Sequence, residues 1–312
     1  MKLVDATALY MQIIHANGCK GDSIHGVLRL FAKYVDGDRE LDSISSSEVR
    51  AFLDGNQPLS HYWHRKHSAL LGLFRFALAR NLVSGIPLPA STPRCHQTYQ
   101  PYVYSEEDID RLIGALDGAR STLIEPYTLR TLVLLLYGTG LRLSEALHLC
   151  LVDVDLQQKL LTVRDTKFYK TRWVPIGPHL VRVLHDYIVT VHAAPGVEVQ
   201  RTPFFVRRDG GPPSAGGIRR AFARLRLKAH VRRSDGARYQ PRLHDMRATF
   251  AVHRLTAWYQ QGADVQRLLP LLSTYLGHAS IAATQVYLPM SPELLMEASL
   301  RFGRYATLEK RS

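Results

Sequence analysis

The polar and apolar positions of residues 61–83 repeat with the period of an α-helix. Leu70, Phe74 and Leu78 are spaced i, i+4 and i+8, so they fall on one face of such a helix. Glycine-containing stretches at residues 18–21 and 36–38 punctuate the chain before it. The first segment of the chain is therefore predicted to be mostly helical.

A proline-rich stretch separates this segment from the rest of the chain. Residues 86–101 contain four prolines and no helical period, which is typical of a linker. A length of 312 residues also favours two domains. We predict one domain over residues 1–92, a linker over residues 93–103 and a second domain over residues 104–312.

The second segment begins with a helix-capping pattern. Ser105 can cap a helix, with Asp108 three residues later. The predicted buried stripe of this helix is Ile109, Leu112, Ile113 and Leu116. A long apolar helix follows and is interrupted at residues 138–140, where two glycines flank a threonine.

Residues 160–177 carry strand-forming residues on both sides of a polar turn, which predicts a β-hairpin with Lys167 in its turn. From Gly217 onward the pattern is helical again, and strands are not expected. The predicted fold class is mainly α with a small β-hairpin or sheet (α+β).

Charge is the strongest signal in the composition. The 40 lysines and arginines against 27 acids give a net charge of +13. Residues 201–242 hold twelve of the basic residues and only two acids, Asp209 and Asp235. Such a local excess favours a phosphate-facing surface and a polyanionic partner over a basic surface that serves solubility.

Membrane and secreted proteins are not favoured. The longest apolar run, residues 131–137, is far shorter than the roughly 20 residues of a membrane span. The N-terminus has no signal-peptide pattern. The cysteines Cys19, Cys95 and Cys150 are far apart and odd in number, which favours a reducing cytoplasm.

Two basic surfaces are candidates for DNA contact. The first is the start of the 61–83 helix, with His64, Arg65 and Lys66 opposite an apolar rear, although a solvated helix end is the alternative. The second is the run Arg219, Arg220 and Arg224, for which a solvated face is the alternative.

Two short patterns could bind one phosphate. Arg142 follows the glycine break, and Glu145 lies three residues later on the same face, where a surface ion pair is the alternative. His244 and Arg247 also lie three residues apart. Arginine offers a planar fork to phosphate oxygens, and histidine can move a proton near neutral pH.

Four stretches, in order, resemble the tyrosine recombinase (phage integrase) family. They are GTGLRLSEALHL (138–149), TKFYKTRWVPIG (166–177), LHDMRATFAVH (243–253) and YLGHASIAATQVY (275–287). The simple Xer-type members look closest in size. The resemblance implies a two-domain DNA clamp, with a helical (SAM-like) core-binding domain and a catalytic domain.

The resemblance implies a role for each matching residue. Arg142, Arg247 and His278 would bind the scissile phosphate, and Tyr287 would attack it to form a 3′-phosphotyrosyl bond. His244 would act as acid or base at the tyrosine. Lys167 would protonate the leaving 5′-oxygen, with Lys170 as the competitor for that role, and Glu145 would support the site from behind.

The chemistry is consistent with these roles. Two arginines and two histidines can neutralise a phosphodiester without a metal, and no cofactor is expected. A tyrosine with an ordinary pKa of about 10 can form a phenolate among cations. The phosphotyrosyl bond keeps the energy of the broken bond, which suits strand exchange without ATP. A type IB topoisomerase-like enzyme and a DNA-binding regulator with lapsed catalysis are the alternatives.

The C-terminal tail predicts assembly. Residues 291–303 form a predicted amphipathic helix, which in the family docks on a neighbouring protomer, so a tetramer on two double-stranded DNA sites, or assembly with related recombinase protomers, is expected. His278 and Tyr287 are predicted to lie on adjacent helices joined by a turn at 279–284. The stretch 254–274 is longer than in compact members, which favours a mobile-element enzyme.

Overall fold

The computed structural model describes the chain apart from residues 20, 57–58, 95–99, 118–123, 165–170, 193–201, 238, 279, 289–294, 298 and 301–312. Within the described residues the protein is mainly helical with one small sheet, which confirms the predicted α+β class. Two compact units divide the chain, and the second begins at residue 100. The boundaries of the predicted domains and linker stay predictions.

The first unit is helical, as predicted. Its helices are α1 (Leu3–Ala16), α2 (Asp22–Val35), α3 (Ser46–Asp54) and α4 (His61–Leu78), with a 3-10 turn at Leu41–Ser43. Leu70 and Phe74 are fully buried, which confirms the predicted face of α4. Leu78 lies on the same face at the end of α4 and is 39% exposed.

The second unit surrounds one long buried helix. Its helices are α5 (Glu106–Gly114), α6 (Pro126–Thr139), α7 (Leu143–Leu147), α8 (Pro178–Val191), α9 (Ala215–Lys228), α10 (Asp245–Gln260), α11 (Val265–Leu276) and α12 (Ala282–Gln285). Leu132, Val133 and Leu135 of α6 are fully buried, because α8 and α10 pack on this helix. A helix that is apolar on all sides is stable only when it is covered in this way.

A capping box starts α5, as predicted. The amide of Asp108 donates to Ser105 Oγ (3.1 Å), and the amide of Ser105 donates to the Asp108 carboxylate (3.2 Å). Ile109, Leu112 and Leu116 are buried, and Ile113 is half-buried against the same core.

The hairpin belongs to a three-stranded antiparallel sheet. Its strands are β1 (Val154–Asp155), β2 (Leu160–Val163) and β3 (Arg172–Pro175), in that order. Leu161 pairs with Val174, and Val163 pairs with Arg172. The predicted strands are confirmed, and the turn that contains Lys167 and Lys170 lies outside the described residues.

After Gly217 the regular elements in the described residues are all helices and none is a strand, as predicted. The longer stretch 254–274 lies in the end of α10, the start of α11 and the short connection between them. In the C-terminal tail, residues 295–297 and 299–300 are helical, and Leu295, Met296 and Leu300 are exposed. No helix in the described part of the chain is long and apolar enough to span a membrane.

Candidate active site

Arg142 is placed by the break between α6 and α7. Gly140 ends α6 with a φ of +62°, and Arg142 is the extended residue directly before α7. Its amide donates to Glu145 Oε2 (2.9 Å), and its Nη1 donates to Glu145 Oε1 (2.8 Å). The predicted new helix at the glycine break is confirmed. The Arg142 side chain stays 38% exposed, so part of its guanidinium faces solvent.

Glu145 is buried between two arginines. Its side chain is 7% exposed, which excludes the surface ion pair that the sequence left open. Arg172 Nη2 donates to Glu145 Oε2 (2.8 Å), and Arg172 Nη1 donates to Oε1 (3.1 Å). Burial raises the pKa of this carboxyl, but the hydrogen bonds and charges of Arg172 and Arg142 outweigh burial and lower it to about 2.

Three guanidinium groups converge on the C-terminal end of α11. Each donates to one of three successive carbonyls, which we call the α11 C-terminal carbonyls: Arg172 Nε to Tyr275 O (3.0 Å), Arg247 Nη2 to Leu276 O (2.6 Å) and Arg142 Nη2 to Gly277 O (3.3 Å). The last carbonyls of a helix lack partners inside it, and they carry the negative end of its dipole. The arginines satisfy these acceptors and are brought together by them.

Glycine is required at the ends of both helices that meet here. Gly277 has a φ of +69°, and a Cβ there would lie 2.8 Å from Arg172 Nη1. Gly140 is also left-handed, and a Cβ there would lie 2.8 Å from the Phe250 ring. A side chain at either position would be strained and would displace its neighbour.

Arg247 is almost completely buried on α10. It is 3% exposed, and its Nη1 donates to the carbonyl of Gly140 (2.8 Å). Burial and the charge of Arg142 lower its pKa to about 10, whereas the charge and hydrogen bonding of Tyr287 oppose that shift. Arg247 is therefore a cation at neutral pH, and Tyr287 lies beside it. Met246, Phe250 and Val252 of the same helix are buried.

The rings of His278 and Tyr287 lie close together beyond the end of α11. Their ring centroids are 5.9 Å apart, and His278 Nδ1 lies 2.7 Å from Oγ1 of the fully buried Thr284. The prediction that they occupy adjacent helices is wrong. His278 follows Gly277 beyond α11, and Tyr287 lies in a turn after α12, because the short helix α12 occupies part of the predicted turn.

Both histidines of the site have lowered pKa values. Burial and the charges of Arg247, Arg142 and Arg172 lower the pKa of His278 to about 4, against the influence of Glu145. His244 directly precedes α10. Although its side chain is exposed, desolvation by the surrounding protein and the charge of Arg247 lower its pKa. Both imidazoles are therefore neutral at neutral pH.

The predicted DNA-contact residues differ in accessibility. Arg65 is exposed and His64 is half-buried on α4. The prediction for Lys66 is corrected: Lys66 is only 9% exposed, and its Nζ donates to the carbonyl of Phe52. Lys66 lies four residues before Leu70, so it extends the buried stripe of α4, and this spacing could have revealed its position.

The basic residues of α9 face solvent. Arg219, Arg220 and Arg224 are exposed, whereas Ile218, Phe222 and Leu225 bury the opposite face of the helix. Among the described residues, no group of three histidines, cysteines or acids is placed to bind a metal ion. The expectation of a metal-free and cofactor-free site stays a prediction.

Comparison with known proteins identifies the family. Residues 103–293 match the phage integrase family, and the chain is 38% identical to an integrase/recombinase of Sinorhizobium fredii over 78% of each chain. The chain belongs to the phage integrase family. It is also 30% identical to the tyrosine recombinase XerC of Listeria monocytogenes over 76% of this chain and 74% of that protein.

Solved structures of phage integrase family proteins share the fold. An integrase of the transposon Tn1549, solved with transposon right-end DNA, superposes with a TM-score of 0.69 at 18% identity, over 98% of this chain and 100% of that one. A lambda integrase tetramer bound to a Holliday junction gives 0.66 at 17% identity, over 92% of this chain and 77% of that one. The family match and the identity to XerC, rather than these structures, make the protein a site-specific tyrosine recombinase, and neither alternative function is favoured.

Sequence reasoning assigned no role to Arg172. Arg172 lies within the hairpin stretch 166–177 that resembles the family, but it is not among the residues to which the resemblance gives a role. A usable signal was present, because Arg172 and Val174 are two residues apart on β3 and so point to the same face of the sheet. Val174 is fully buried, and Arg172 is only 12% exposed at its side chain.

Proposed function

We propose that this recombinase cleaves and rejoins double-stranded DNA through a covalent bond between Tyr287 and the 3′-phosphate. The observation that carries the proposal is the convergence of Arg142, Arg247, His278 and Tyr287 around the C-terminal end of α11. Cations and a nucleophile in one place are what attack on an anionic phosphodiester needs.

Arg142 and Arg247 bind the non-bridging oxygens of the scissile phosphate. Each guanidinium has five N–H donors, and their carbonyl and carboxylate partners leave donors for a phosphate. His278 adds a hydrogen bond in its neutral form. With Nδ1 accepting from the Thr284 hydroxyl, Nε2 carries the proton and donates to the phosphate.

The strand-cleavage step exchanges one phosphoester bond for another. The Tyr287 hydroxyl oxygen attacks phosphorus, the bond from phosphorus to the 5′-oxygen breaks, and the phosphotyrosyl bond forms. Neutral His244 accepts the tyrosine proton as the base. Lys167 protonates the leaving 5′-oxygen. Attack by a 5′-hydroxyl of another strand reverses the step without ATP, cofactor or metal.

The residues outside the site bind DNA and other protomers. Residues 1–92 act as the core-binding domain and residues 104–312 as the catalytic domain. His64 and Arg65 of α4 and Arg219, Arg220 and Arg224 of α9 contact DNA. The tail helix, whose Leu295 and Leu300 are exposed, docks on a neighbouring protomer in a tetramer on two sites. The lambda integrase tetramer on a Holliday junction supports this assembly.

The cellular location and the biological role are proposed from features outside the site. The three cysteines are far apart in the sequence and odd in number, which supports action in the reducing cytoplasm. The longer stretch 254–274 and the likeness to a transposon integrase support a mobile-element role.

Detection of the covalent protein–DNA intermediate tests the proposed function most directly. The cognate site, selected from random DNA, is offered as a duplex with a nick beside the cleavage position, so that the short 5′ fragment diffuses away. We expect a protein–DNA adduct on a denaturing gel, and a peptide that carries the nucleotide on Tyr287 by mass spectrometry. Tight binding without an adduct would instead favour a DNA-binding regulator.

Assembly separates a recombinase from a topoisomerase-like enzyme. We expect four protomers on two sites by native mass spectrometry and recombinant products from plasmids that carry two sites. Relaxation of a supercoiled plasmid without any site, by a protein that binds as a monomer, would contradict the recombinase assignment.

The salt dependence of binding tests the proposed contacts of α9. Replacing Arg219, Arg220 and Arg224 together with alanine removes up to three phosphate contacts, so the slope of log K against log salt should fall by about 3. Lys66→Met is the control, because Lys66 is buried against Phe52, and its slope should match wild type. An unchanged slope in the triple variant would show that α9 is a solvated face.

A further inference from the structure

We propose that Arg172 is a positioning residue for strand cleavage: through Glu145 and the Tyr275 carbonyl it fixes Arg142 and the backbone that leads to His278. The inference rests on the proposed function, in which Arg142 and His278 bind the scissile phosphate. Arg172 itself does not touch the reacting atoms.

The partners of Arg172 are all protein groups. Its two Nη atoms donate to the two oxygens of Glu145 (3.1 and 2.8 Å), and its Nε donates to the carbonyl of Tyr275 (3.0 Å). Each guanidinium nitrogen is therefore engaged, and the side chain is only 12% exposed. Of the two arginines that bind Glu145, Arg142 is the more accessible to a ligand, because its side chain is 38% exposed.

Glu145 is shared between the two arginines. Its Oε1 accepts from Arg142 Nη1 (2.8 Å) and Arg172 Nη1, and its Oε2 accepts from the Arg142 amide (2.9 Å) and Arg172 Nη2. One carboxylate between two guanidinium groups leaves a net positive charge. Without Arg172, the carboxylate would pair with Arg142 alone. The pair would then have no net positive charge to attract the phosphate, and Glu145 would compete with the phosphate for the Arg142 guanidinium.

Arg172 also fixes the end of α11. Its guanidinium packs on Gly277, the residue before His278, so closely that a Cβ there would lie 2.8 Å from Nη1. The backbone of Arg172 is anchored in the sheet by pairing with Val163. The planar fork of an arginine can bind both carboxylate oxygens and a carbonyl at once, and the point charge of a lysine cannot.

Arg172→Gln and Arg172→Lys test this role in the full-length protein. Single-turnover cleavage of the nicked site at saturating protein should fall about 100-fold for Arg172→Gln, because small displacements of positioning groups cost about that much. The dissociation constant for the site should change less than about 3-fold, since the Arg172 guanidinium is engaged by Glu145 and Tyr275 and is nearly buried. Arg172→Lys should recover little of the loss.

The matched control is Arg39→Gln in the first unit. Arg39 also pairs with a glutamate of a capping box, Glu48, whose pKa is lowered to about 2 by the hydrogen bond of Arg39 first and then by those of Ser45. Arg39→Gln should also lose an arginine–glutamate ion pair, a more exposed one, and keep the wild-type cleavage rate. Equal losses of cleavage in both variants, in proportion to their loss of melting temperature, would reduce Arg172 to a structural residue.

A neutral substrate separates positioning from folding. A methylphosphonate at the scissile position lacks one negative charge, so it depends less on Arg142. We expect Arg172→Gln to lose more rate on the phosphodiester than on the methylphosphonate, and Arg39→Gln to preserve the wild-type ratio. Equal losses on both substrates would overturn the inference. If wild type forms the adduct but Arg172→Gln and Arg39→Gln behave alike on both substrates, only this inference is contradicted. If wild type forms no adduct, the proposed function itself is contradicted.

Discussion

Tyr287→Phe is expected to abolish the covalent DNA adduct and all recombination, while binding to the site stays near wild type. The substitution removes one oxygen, the proposed nucleophile, which lies beside Arg247. The ring remains, so its packing beside His278, with centroids 5.9 Å apart, should be preserved. The adduct is measured on a denaturing gel with the nicked site. Binding to the site is measured on the same samples by filter binding or mobility shift.

Tyr275→Phe is the control for a competing tyrosine. The Tyr275 hydroxyl donates to the carbonyl of Pro175 (3.1 Å), and burial raises its pKa to about 12, so it is a poor nucleophile. This variant should still form the adduct. An adduct that persists in Tyr287→Phe and disappears in Tyr275→Phe would show that the nucleophile is misassigned.

Arg247→Lys is expected to lose at least about 1000-fold in cleavage rate, because one ammonium group cannot replace the whole fork. Arg247 donates to the carbonyls of Gly140 and Leu276 and, in the proposed mechanism, to the phosphate as well. Removing one preorganised donor of a developing charge commonly costs 100- to 1000-fold, and here the geometry is lost too.

Arg247→Ala adds a cost in stability. The two carbonyls would be left buried without a donor, at about 1–3 kcal/mol each, so the free energy of unfolding should fall by several kcal/mol. Denaturant unfolding and single-turnover cleavage measure the two effects. Arg254→Lys, an exposed arginine on the same helix, should change neither. Full cleavage activity in folded Arg247→Lys would contradict the role of Arg247 as a phosphate ligand.

Local patterns in the sequence were enough to predict much of the fold. The capping pattern at Ser105, the glycine break before Arg142 and the alternation around the hairpin each depend on neighbours within a few residues, and the structure confirms these elements. Lys66 shows the limit of reading residue types alone. Its position four residues before Leu70 indicated burial, although its charge suggested a contact with DNA.

The sequence alone was sufficient for the family and the order of the motifs, and it named the candidate residues of the site. The proximity of those residues in space was decided only by the tertiary structure, because it depends on hydrogen bonds between distant parts of the chain. Arg142 reaches Gly277 and Arg172 reaches Tyr275, 135 and 103 residues away, and no periodicity reports such pairs. The unpaired carbonyls at the end of α11 attract the three arginines, and that end exists as an acceptor only after the helix has formed and packed.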